Sequence, residues 1–210
     1  MIKNSDIEYI DSINIDNKKI RCWGCTKPIH KVTIFCNKCF IIQPPCKMNH
    51  FERLNIKPLF NIDLKMLNIR YLESQKLLHP DNFVLKSKDE QKLSMLHSQL
   101  LNEAFLILKD SILRAQCILE IFGITSEESH DSNFLIKVME IQENLENTQI
   151  KSNLLLIIND ILINIQESEK ALTEAFKNKN YNLVQKILFR LRYFTKIHID
   201  ARKKLHFSHT

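Results

Sequence analysis

Two glycines, Gly24 and Gly123, and five prolines are all that 210 residues provide for reversing the chain. A large antiparallel β fold needs many tight turns, and those turns draw on the positive φ of glycine or the fixed φ of proline. Long helices joined by a few polar links need far fewer of either. The sequence therefore predicts an all-α protein. Its hydrophobic content of 44% and charged content of 26% suit a chain that buries a core in water. The net charge of +6 is spread along the chain. It would suit nucleic acid or an acidic protein partner and decides neither.

Three zones stand out. Residues 1–47 are rich in cysteine and lysine and show no helical period. Residues 48–122 carry two strong amphipathic patterns around a polar loop. Leu64, Leu67, Tyr71 and Leu78 recur at helical spacing behind Asp63, a ready N-cap. Leu93, Leu96, Leu100, Ala104, Phe105 and Leu108 lay a second stripe, and Phe51, Leu54 and Ile56 give a shorter apolar element ahead of both. Two such helices joined by a short loop bury their stripes on each other.

The third zone, 131–210, follows Gly123 and the polar link 125–133. Asp131 or Ser132 can cap a helix running to about 147. Further helices are expected over about 150–177 and 181–206, with Asn178-Lys179-Asn180 as the turn between them. Three helices with short links make a bundle. Its predicted core uses Leu155, Ile158, Leu162, Leu172, Leu188 and Leu191. Phe134, Val138, Ile141 and Leu145 form one apolar stripe on the first of these helices, while Leu135 and Met139 share a different face. Pattern alone leaves open whether Leu135 and Met139 face the core or a partner.

The sharpest motif is His79-Pro80-Asp81, at the junction between the first amphipathic helix and the loop. Pro80 forbids helix continuation and pushes the residue before it out of the α region. His79 and Asp81 are thereby displayed with little conformational freedom left to lose on binding, and Asp81 can accept a charge-assisted hydrogen bond from a partner arginine. The plain alternative is that the tripeptide only ends a helix. With helices on both sides, the arrangement resembles a J-domain, whose loop and preceding helix engage a DnaK-type ATPase. In that reading Arg70 and Lys76 supply basic charge next to the loop. Asn82 departs from the pattern, since lysine often follows the tripeptide.

Cys22-Trp23-Gly24-Cys25 and Cys36-Asn37-Lys38-Cys39 form two CxxC pairs with ten residues between them. Two thiolates from each tight turn can meet at one tetrahedral ion. Cys22, Cys25, Cys36 and Cys39 are the expected ligands of structural Zn²⁺, and a segment so poor in core residues would scarcely fold without it. A redox dithiol or an iron site of the rubredoxin kind is the competing reading. Cys46 and Cys117 fit no pair and are read as non-ligands.

From Phe51 to Arg202 the chain resembles the HscB family, the J-domain co-chaperones of iron–sulfur cluster assembly. LHPDNF, LLNEAFLILKDSILRAQCIL, FLIKVMEIQENLE and LRYFTKI carry the likeness. Some members, including eukaryotic ones, share an N-terminal tetracysteine module with a CWxC start. The resemblance implies a zinc-binding module over 1–47, a J-domain over 48–122 and a helical bundle over 131–210. It also implies two partners, a HscA- or DnaK-type chaperone and an IscU-like scaffold. The scaffold-binding patch would fall on Leu135, Met139 and Tyr193, with Ile136 as a further member and Glu140 and Glu143 as charged contacts. Tyr193 stands where phenylalanine is expected. Such a protein would not be an enzyme. Its role would be to bring the scaffold to the chaperone and stimulate ATP hydrolysis there, with the zinc module scaffolding the J-domain.

Two rivals remain at this level. A general J-protein would bind unfolded clients without preference, and a zinc-dependent nucleic-acid binder would need a basic, aromatic face around Trp23, Phe35 and Phe40. Asp6, Glu8, Asp11 and Asp16 argue against a secretory or mitochondrial leader at the start. The most apolar stretch, Leu154 to Ile165, is interrupted by Asn159, Asp160 and Asn164 and is too short to span a bilayer. The expected location is the bacterial cytoplasm, or the mitochondrial matrix in a eukaryote.

Overall fold

A computed structural model describes residues 20–29, 33–124 and 131–207. The described residues divide into two compact units, one ending at Asp110 and the other beginning at Ser111. Helices dominate both, as the shortage of glycine and proline predicts.

The first unit opens with a two-residue antiparallel ribbon, β1 (Ile20–Arg21) against β2 (Pro28–Ile29), which pairs Ile20 with Ile29. An isolated bridge joins Phe35 to Ile42. A short helix α1 (His50–Arg53) follows, started by a capping box in which Asn49 and Glu52 each accept the other's backbone N–H. Helix α2 (Leu64–Leu78) begins at Asp63, whose side chain accepts from the N–H groups of Lys65 and Met66. After a 3₁₀ turn over Pro80–Phe83, α3 (Lys88–Lys109) starts with a second capping box, Ser87 with Glu90. Phe51, Leu54, Leu67, Leu78, Phe83, Leu101, Ala104 and Leu108 fill the core of this unit.

The buried face of α3 differs in detail from the expected stripe. Ser94, His97 and Leu101 are buried while Leu96 is exposed, and Leu64 on α2 is exposed as well. Leu64 sits in the first turn, where the chain has only just reached the hairpin.

The second unit contains α4 (Ser111–Ile121), α5 (Ser132–Asn147), α6 (Lys151–Lys177) and α7 (Tyr181–Phe207). A separate α4 is not part of the sequence expectation. It arises because Asp110 adopts an extended conformation at ψ 129° and breaks the helical run after Lys109. Asp131 caps α5 by accepting the Phe134 N–H. One core cluster joins Phe134, Val138 and Leu145 of α5 to Leu154, Ile158 and Ile161 of α6 and to Phe194, Ile197 and Ala201 of α7. Leu172, Leu188 and Leu191 are buried as expected, and Leu162 packs partly buried against the cluster. Leu155 is a correction: it is exposed, and Leu154 takes the core position. The three consecutive leucines leave the phase open, and Ile158 and Ile161, at i+4 and i+7 from Leu154, fix it.

Candidate functional site

The His79-Pro80-Asp81 loop grows out of the end of α2. The His79 N–H donates to the Gln75 carbonyl at 2.9 Å, the last helical bond before the backbone turns to ψ 132°. Phe83 is buried and anchors the far side of the turn. Ser94 Oγ of α3 donates to the Leu78 carbonyl at 2.7 Å and so holds the near side. Asn82, the residue that departs from the usual lysine, has a structural use here. Its Nδ2 donates to the Lys76 carbonyl at 2.8 Å, satisfying a carbonyl that the helix end leaves open.

Between these anchors the two polar side chains are displayed to solvent, His79 at 54% and Asp81 at 84% of full exposure. The Asp81 N–H donates to His79 Nδ1 at 3.3 Å. The Asp81 carboxylate lies 3.4 Å from the same Nδ1. The loop therefore offers an imidazole and a carboxylate side by side, both exposed, on a fixed backbone.

Arg70 and Lys76 are not equivalent. Lys76 is exposed on the outer face of α2, whereas the Arg70 side chain is only 18% exposed and lies 3.9 Å from Glu73. The outer face that leads to the loop is formed by Lys65, Ile69, Leu72 and Lys76, all exposed and spaced at i, i+4, i+7 and i+11. Lys65, Ile69 and Leu72 were not singled out from sequence, although that spacing carries the signal.

The four cysteines converge. Their sulfurs all lie within 4.8 Å of one another, with Cys22–Cys39 at 3.6 Å and Cys25–Cys36 at 3.8 Å. Tetrahedral thiolates about 2.3 Å from an ion stand roughly 3.8 Å apart, so the spacing fits. The two turns are built alike. The Cys22 N–H donates to the Lys27 carbonyl and the Cys36 N–H to the Ile41 carbonyl, while Thr26 and Phe40 adopt positive φ of 58° and 59° at equivalent places. Gly24 lies close to the Ile41 side chain: a Cβ there would sit 2.5 Å from Ile41 Cδ1, so the end of that side chain would have to move.

The electrostatics of the sulfur cluster also call for a cation. The Cys25 N–H points at Cys22 and holds its thiol low, at about 6, and the Cys39 and Lys38 N–H groups lower Cys36. The Ile41 N–H favours a thiolate at Cys39 too, yet burial and the neighbouring sulfurs outweigh it and push that thiol up to about 12. Four thiolates at this spacing repel one another unless a metal ion takes the place of the protons. Cys46 lies outside the group, and Cys117 is buried in α4.

The remaining predicted residues lie on α5 and α7. Phe134, Val138 and Leu145 turn into the core, and the opposite face presents Ile136 at 55% and Met139 at 67% exposure. Glu140 and Glu143 are exposed and Leu135 is half-buried. Tyr193 is half-buried, its ring 6.0 Å from Phe134 and 5.0 Å from Phe189. Arg190, which sequence reasoning missed, lies with its guanidinium 5.5 Å from the Phe134 ring centre and donates from Nε to Asp131 at 3.2 Å. That hydrogen bond holds the Asp131 carboxyl below its usual range.

Comparison with known proteins gives a consistent set of likenesses. Residues 130–202 match the family model described as the HSCB C-terminal oligomerisation domain. The iron–sulfur cluster co-chaperone protein HscB of Mus musculus is 30% identical over 189 residues, covering 84% of this chain and 79% of the relative. A co-chaperone protein HscB homolog of Pasteurella multocida is 33% identical over 169 residues, 74% of this chain and 95% of its own. The crystal structure of human co-chaperone protein HscB superposes with a TM-score of 0.82 at 29% identity, covering 88% of this chain and 98% of that one.

Proposed function

The chain belongs to the HscB family of iron–sulfur cluster co-chaperones, and from that premise we propose how its parts divide the work. It is a J-protein co-chaperone in iron–sulfur cluster assembly, a role that is not enzymatic. Residues 48–122 act as the J-domain, with His79, Pro80 and Asp81 engaging a HscA- or DnaK-type ATPase and Arg70 and Lys76 adding basic charge. Residues 131–210 hold an IscU-like scaffold through Leu135, Ile136, Met139, Glu140, Glu143 and Tyr193. Residues 1–47 form the metal module, with zinc at Cys22, Cys25, Cys36 and Cys39, and iron as the alternative that metal analysis of the purified chain decides.

The observation that carries this reading is the display of His79 and Asp81 on a loop anchored from both sides. The scaffold assignment is supported by the second apolar face of α5, which the core leaves uncovered. An iron–sulfur scaffold delivered to an ATPase places the work in the bacterial cytoplasm or the mitochondrial matrix. Among the described residues no helix is long and apolar enough to cross a membrane.

Titration calorimetry of the scaffold protein into this chain tests the assignment. Wild type should bind, and the pair Leu135→Ala with Met139→Ala should weaken binding at least tenfold. Unchanged affinity in the double variant would remove the patch from the account, and equal affinity for unfolded peptides would favour a general J-protein.

A further inference from the structure

Gln43 stands between the cysteine cluster and the α2–α3 hairpin, and it is bonded to both. It is buried, at 5% exposure, and its Nε2 donates to Cys22 Sγ at 3.3 Å and to the Ile41 carbonyl at 2.8 Å. Its own N–H donates to the Ile34 carbonyl at 2.8 Å. Its backbone carbonyl accepts from His97 Nε2 of α3, also at 2.8 Å. His97 is likewise 5% exposed. One turn earlier on α3, Ser94 Oγ donates to the Leu78 carbonyl, and Leu78 directly precedes His79. Polar contacts thus join the Cys22 sulfur to α3 through Gln43 and His97, and α3 to the backbone that carries the chaperone-binding loop through Ser94, one helical turn away.

The packing around this path is incomplete. Pro44, Cys46, Arg53, Ser74, Leu78 and His97 help line a cavity of about 50 Å³. Close-packed interiors transmit displacement through contact, and a seam with a void does so less well. At this seam the directional hydrogen bonds of Gln43 and His97 carry the coupling.

We propose that Gln43 is a positioning residue that couples metal ligation at Cys22 to the α2–α3 hairpin, so that the metal state of the tetracysteine site sets how firmly the His79–Asp81 loop is held. This rests on the metal reading given above. Metal ligation fixes the Cys22 sulfur in place, and with it the acceptor to which the Gln43 amide is bonded. Hydrogen bonds from outside the ligand set orient the ligand, and such outer contacts tune metal affinity in turn. Loss of the metal releases the Cys22 sulfur to move, so the Nε2···Sγ bond no longer holds Gln43 in register. The segment around Gln43 then relaxes, and His97 loses the carbonyl that orients it.

Amide hydrogen exchange over residues 74–101 of the full-length protein, metal-loaded and chelator-stripped, tests the coupling. Metal affinity by competition with a chromophoric chelator is the second readout. Wild type should bind metal, and stripping should speed exchange across 74–101 about tenfold or more. Gln43→Met keeps the size of the side chain and removes the donor. It should lower metal affinity about 10- to 100-fold and shrink the exchange response to stripping. His97→Phe should leave metal affinity nearer wild type while shrinking the same response. If wild type binds metal and exchange over 74–101 does not change on stripping, or if Gln43→Met retains full affinity and full response, the coupling is overturned and the metal reading stands. If wild type binds no metal, both fall.

Discussion

Asn82 closes the end of α2 by donating from Nδ2 to the carbonyl of Lys76, across the His79-Pro80-Asp81 tripeptide, at 2.8 Å. The residue that breaks the family pattern in sequence is thus one of the groups that hold the loop. Asn82→Ala removes the bond and should cost about 0.5–1.5 kcal/mol, read as a lower midpoint of chemical unfolding. Asn82→Lys should lose the same bond while adding charge beside the loop. A midpoint unchanged in both variants would show that the contact does not hold the turn.

The two faces of α5 should separate stability from binding. Phe134 is buried among the rings of Phe189, Tyr193 and Phe194, so Phe134→Ala should destabilise the chain by about 3–5 kcal/mol. Ile136→Ala with Met139→Ala removes exposed side chains and should stay within about 0.5 kcal/mol per site of wild type. Denaturant melts of both variants, set beside their scaffold affinities, check this. Loss of stability in the second variant would mean that its face is packed rather than free.

Burial lowers His97 below its ordinary value of 6.5. The folded chain then takes up this proton less readily than the unfolded chain. Unfolding binds more protons as pH falls past about 6.5, so the contribution of His97 is complete above that pH and declines below it. His198, whose buried Nε2 finds no hydrogen-bond partner among the described residues, is lowered by burial in the same direction. Thermal midpoints measured from pH 7.5 to 5.5 should fall, and His97→Gln should reduce the slope. An identical slope in the variant would assign the pH dependence elsewhere.

Removing a ligand from the cysteine cluster should act on the first unit only. Cys39→Ser leaves three thiolates and should reduce bound metal well below one per chain by elemental analysis. Circular dichroism of α4 to α7 expressed within the whole chain should keep its helical signal. Full metal content in Cys39→Ser would remove that residue from the ligand set.

Much of this was legible in the sequence, and the exceptions have physical causes. Asp63 caps its helix as expected, and of the two candidates Asp131 and Ser132 it is Asp131 that caps the other, its side-chain oxygen accepting the Phe134 N–H. The cysteine pairs meet because their spacing permits little else. Helix α4 was missed because one extended residue, Asp110, breaks the helix without glycine or proline to mark it. Leu155 is exposed where the pattern puts it in the core, since three successive leucines carry no phase of their own. Gln43 gave no signal. Its role depends on contacts with Cys22 and His97, 21 and 54 residues away, and no local pattern records such a meeting.

The most direct test is single-turnover ATP hydrolysis by the cognate DnaK-type chaperone, with the scaffold protein present. Wild type should accelerate hydrolysis well above the chaperone's basal rate, and His79→Gln should abolish the acceleration while retaining helical content and scaffold binding. Equal acceleration by wild type and His79→Gln, or none by wild type, would contradict the account.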